Sequence, residues 1–138
     1  MKFIADTGEL AELAVMVMEN EPEMEHLEVD CRIIFQRGSE EKITNGQTVY
    51  ADCGKVPDKL KAFVPADYLI TFYESSRQLT RDGMYVLMYH ELMHIDTDGE
   101  RFRVRKHDVE EFRAVAARFG LDWIEKYSGQ ISLDEVAG

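Results

Sequence analysis

Cysteine is scarce in this chain. Cys31 and Cys53 are the only two among 138 residues, and they make no C-x-x-C pair. That count excludes a zinc ribbon, and the two thiols are expected to be free and buried. Long apolar runs are missing as well. None approaches the roughly 20 residues a membrane helix needs. A secretory leader is not expected either. Lys2 is the one early positive charge, and Glu9, Glu12 and Glu19 interrupt the apolar residues that follow. The first segment is therefore expected to belong to the fold, and the protein to be cytoplasmic. Basic residues are outnumbered, 16 against 27 acidic ones, for a net charge of −11. Nucleic-acid affinity rests largely on Lys and Arg neutralising phosphates, so a nucleic-acid partner is not expected. Arg101, Arg103, Arg105 and Lys106 are a local exception. No internal repeat or low-complexity linker interrupts the chain.

What is present suits a globular protein. Apolar residues make up 45% of the chain, and the length fits one domain, residues 1–138, with a modest core. Leu10, Leu13, Ala14, Val17 and Met18 recur at helical spacing, which predicts a helix capped by Asp6 or Thr7 and ending near Asn20. Alternation predicts strands over Val29 to Gln36, Thr48 to Lys55 and Tyr68 to Tyr73. Arg37 to Glu40 and Asn45-Gly46 are turn signals. From Gln78 to Ile95 the pattern is helical and apolar nearly all round, the mark of a buried helix. Thr97-Asp98-Gly99 breaks it. A short strand is expected over Glu100 to Lys106. A helix follows from Asp108 to Gly120, and a last helical piece around Leu121 to Tyr127. The order is that of an α+β domain, with a small, mostly antiparallel sheet packed on the buried helix.

Inside that apolar helix stands His90-Glu91-Leu92-Met93-His94, an H-E-x-x-H sequence. Residues four apart share a helix face, so two imidazoles at this spacing can grip one metal ion. Glu91 sits about 100° further round, within reach of a water on that metal. Neutral imidazoles suit Zn²⁺ and leave coordination positions open for that water. Three adjacent polar groups in a buried helix need partners, and a shared metal and its water would supply them.

A catalytic zinc site has three protein ligands plus water. The metzincin pattern fails, because Thr97 stands where it needs Gly and Glu100 where it needs the third His. Two sources for a third ligand remain. One is His107, just past the basic strand. The other is Glu110 or Glu111 from the next helix. Asp108 and Glu111 have the spacing of a capping box, which gives Glu111 a structural explanation of its own. His107 has a weaker one, since imidazolium is disfavoured at a helix N-terminus. Asp96 and Asp108 are candidates for orienting an imidazole. His26 lies in an acidic stretch and reads as a solvated bystander.

The strand from Asp67 to Tyr73, then Tyr89 to Ile95, then His107-Asp108-Val109-Glu110-Glu111-Phe112, resemble the phage metallopeptidase family of small zincin-like domains. A more distant similarity is to the SprT-like metalloproteases. The resemblance implies one Zn²⁺ per chain held by His90, His94 and His107, with Glu91 as catalytic base. It also implies a peptide or protein substrate and phage or prophage origin. In zincin-like folds an edge strand beside the active helix holds the substrate extended, and by resemblance Tyr68 to Tyr73 is the candidate. Sequence identifies no oxyanion donor: Tyr89, Tyr127 and an arginine of the 101–105 strand could serve, but each is better read as structural. The alternative to an enzyme is a zinc-binding interaction module without turnover. Sequence leaves the oligomeric state open.

Overall fold

A computed structural model describes residues 1–106 together with 118 and 119. The elements run in the order β1 (Phe3–Ala5), α1 (Glu9–Asn20), α2 (Leu27–Asp30), β2 (Ile33–Gly38), β3 (Lys42–Thr44), β4 (Gln47–Val49), β5 (Ala51–Lys55), β6 (Tyr68–Phe72), α3 (Arg81–Met93), β7 (Ile95–Thr97) and β8 (Phe102–Val104). The expected α+β class is the one observed.

Asp6 starts α1, as its sequence suggests. Its carboxylate accepts from the backbone N–H groups of Gly8, Leu10 and Ala11, satisfying donors that a helix start leaves unpaired. The apolar stripe of α1 then turns inward, with Leu10, Ala14, Val17 and Met18 all buried. The four-stranded sheet has the order β1-β2-β6-β5. β1 pairs antiparallel with β2, β2 parallel with β6, and β5 antiparallel with β6. Tyr68, Ile70 and Phe72 alternate along β6 and are fully buried. They join the α1 stripe and Val86, Leu87, Met88, Tyr89 and Leu92 of α3 in one core. Area removed from water on this scale is the main stabilising term of such a domain.

Several expected boundaries move. The strand expected from Val29 begins at Ile33, because the His26 carbonyl accepts from Val29 and Asp30 and closes a helical turn instead. The strand expected over Thr48 to Lys55 is two pieces. β4 folds back on β3 through Asn45-Gly46, both with positive φ, the backbone a two-residue hairpin turn demands. α3 starts at Arg81 rather than near Gln78. Thr80 caps it, its hydroxyl accepting from the Gly83 N–H at 3.1 Å. α3 also stops at Met93, and Ile95 opens β7, which pairs with β8.

The edge-strand expectation needs correction. The strand over Tyr68 to Phe72 is interior, paired with β2 on one side and β5 on the other. Its nearly unbroken apolar run is the mark of a strand covered on both faces. The edge on that side of the sheet is β5. The expected helices after residue 107, and Tyr127, lie outside the described residues. Arg118 and Phe119 are helical. No helix among the described residues is long and apolar enough to cross a membrane.

Candidate metal centre

The end of α3 brings the central residues together. Glu91 is 2% exposed and His94 6%, while His90 is half-buried. The His90 and His94 rings meet edge to face, with centroids 5.2 Å apart. Donor atoms of His90, Glu91 and His94 all lie within 4.8 Å of one another. This is the only such donor cluster among the described residues. His26 stands exposed at the start of α2 and is not part of it.

His94 is the residue at which helix becomes strand. It keeps helical backbone angles, and its N–H donates back to the carbonyls of Glu91 and Leu92. Its own carbonyl accepts from the Arg105 N–H at 2.6 Å. Its ring Nδ1 in turn bonds the Arg105 carbonyl. A carbonyl only accepts, so Nδ1 carries the proton and the lone pair of the neutral ring is on Nε2. That is the tautomer a metal ligand requires. Burial holds the His94 pKa below the ordinary histidine range; the hydrogen bond to Arg105 works against this, and the Arg105 charge works with it. The neutral, ligating form is therefore favoured. These donors fit a divalent metal of the nitrogen-ligating kind.

The surroundings separate the remaining candidates. Cys53, on β5, lies close enough to Glu91 to feel its charge. Burial first, then the Glu91 carboxylate, pushes the Cys53 thiol up, which favours its protonated form. Cys31 is likewise raised to about 12, mainly by burial. Both cysteines are free, as expected from their number. Tyr89 is committed elsewhere. Its hydroxyl donates to Glu23 at 2.6 Å, and its ring packs edge-on against Phe119. Beside it, the buried Glu21 accepts from Tyr85 and Arg118. Arg105 spends its guanidinium on the Met93 carbonyl. Asp96 faces Arg103 across the β7–β8 pair. The group that orients His94 is thus a main-chain carbonyl. Sequence reasoning looked for a carboxylate and missed it, since a backbone group leaves no side-chain signature.

His107, Glu110 and Glu111, the candidates for a third ligand, lie outside the described residues. So does Asp108.

Comparison with curated proteins and with solved structures gives no match. The family model described as putative phage metallopeptidase matches residues 1–132. That span takes in the sheet, both long helices and the histidine pair, far more than a five-residue motif alone. The chain belongs to the putative phage metallopeptidase family.

Proposed function

We propose that the protein is a zinc-dependent peptidase, with one Zn²⁺ held by His90, His94 and His107 and with Glu91 as general base. The observation that carries this reading is the gathering of His90, Glu91 and His94 donors within 4.8 Å in a largely buried segment. His107 is favoured as third ligand by where the described chain leads. Arg105 is bonded to His94 through both its N–H and its carbonyl, and His107 follows two residues later in sequence. A bound Zn²⁺ supplies a Lewis acid for the substrate carbonyl and acidifies its water. Glu91 takes the proton from the attacking water and passes it to the departing amine nitrogen. His90 and His94 serve as neutral ligands, His94 with its tautomer fixed.

The substrate is an extended polypeptide. β5, the outer strand beside β6, replaces the interior strand as the element suited to pair with it. The nearness of Cys53 on β5 to Glu91, whose charge raises its thiol pKa, supports that choice. The test is cleavage of a broad peptide library by the zinc-loaded protein and by Glu91→Gln. Cleavage by the parent alone supports the peptidase reading. A zinc-loaded parent that cleaves nothing favours a metal-binding interaction module instead.

A further inference from the structure

The hairpin that follows α3 is tied down at three points, one of them on His94 itself and one on the residue before it. The first tie is at its middle pair, Asp96 and Arg103. Tyr68 on β6 is fully buried, and its hydroxyl donates to the Arg103 carbonyl at 2.8 Å, with the Asp96 carbonyl at 3.3 Å. One hydroxyl thereby touches both strands, β7 through Asp96 and β8 through Arg103. The Tyr68 ring also meets Phe102 edge to face, at 6.2 Å between centroids. The second tie is the pair of bonds between Arg105 and His94, through the Arg105 N–H and carbonyl. The third is the Arg105 guanidinium, whose Nη1 donates to the Met93 carbonyl at 3.1 Å. It satisfies an acceptor left open where α3 ends.

We infer that Tyr68 and Arg105 are positioning residues for the metal centre, holding the β7–β8 hairpin so that its main chain fixes the ring of His94. The inference rests on the metal-binding reading above. A carbonyl on this hairpin holds the His94 Nδ1 proton, so where the hairpin sits bears on the ring's orientation. A carbonyl cannot be mutated away, but the side chains that place it can. Partners that orient ligands typically change metal affinity by about 10–100-fold when lost.

The experiment measures zinc affinity by competition against a chromogenic chelator, alongside the melting temperature of the zinc-free protein. Tyr68→Phe keeps the ring and its contact with Phe102 and removes only the hydroxyl. Arg105→Ala removes the guanidinium, and Arg105→Lys returns one donor at that place. The expected result is zinc affinity weaker by about 10-fold or more in Tyr68→Phe and Arg105→Ala. Arg105→Lys should recover part of the loss, with zinc-free melting temperatures differing far less than the affinities. A purely structural role predicts the reverse, lowered melting with unchanged affinity, and that result overturns the inference. If the parent itself takes up no zinc, the metal reading falls first and this inference with it, so the two failures are told apart by the parent protein alone.

Discussion

The His90 and His94 rings meet edge to face, 5.2 Å between centroids and 79° between planes, with the Glu91 carboxylate in the same cluster. His94 already has its Nδ1 proton committed to Arg105. A single ion shared by the pair would relieve the cost of burying these groups.

Glu91→Gln keeps the shape and removes the base. Zinc content should stay at the parent's level. Melting temperature should match or exceed the parent's, because a buried charge is gone. Peptidase activity should fall by at least about 100-fold, the scale of a general base. Equal cleavage by the two proteins would show that Glu91 is structural.

His107→Ala should empty or greatly weaken the zinc site, while Glu110→Ala and Glu111→Ala leave it filled. Metal content of the three purified variants distinguishes them. Loss of zinc in Glu110→Ala or Glu111→Ala, with His107→Ala unaffected, would move the third ligand to a carboxylate.

Zinc-free protein should lose stability as pH falls below the ordinary histidine value of 6.5. The sign follows from burial. It lowers the folded-state pKa of His94, so between that lower value and 6.5 the unfolded chain binds more protons. This contribution is present above 6.5, is lost as pH drops through the folded value, and is flat below it. Urea midpoints between about pH 7.5 and pH 5.5, taken with a chelator present, check it, since a lowered pKa must appear as this slope. A profile that rises toward acid would contradict a buried neutral His94.

Arg118→Ala should destabilise the protein by about 1–2 kcal/mol, the cost of leaving a buried acceptor short of a partner. Glu21 is only 4% exposed and would keep Tyr85 as its remaining described donor. The effect is small for a buried carboxylate because Arg118 is half-exposed and water already screens the pair. Thermal melts of the zinc-free variant measure it. An unchanged melting temperature would mean that water replaces the guanidinium without cost.

Local chemistry made much of this legible in the sequence. Asp6 has one useful role before an amphipathic run, and it takes that role. Asn45-Gly46 marked its hairpin because few residues tolerate positive φ. His90, Glu91 and His94 stood out because polar groups in an apolar helix need a reason. What sequence left hidden depends on distant partners. The apolar strand Tyr68–Phe72 reads the same whether it lies at an edge or inside, and only pairing with β2 and β5 decides. The end of α3 at Met93 is set by a bridge between His94 and Arg105 that spacing does not announce. The short strands β1, β3 and β7, three residues each, are too brief for a period to show.

Zinc content of the purified protein, prepared without chelator and then titrated, tests the central claim most directly. The account predicts about one zinc per chain, as a three-ligand catalytic site requires, falling to near zero in His90→Ala and His94→Ala. A folded parent protein that carries no zinc and takes up none on titration would contradict it.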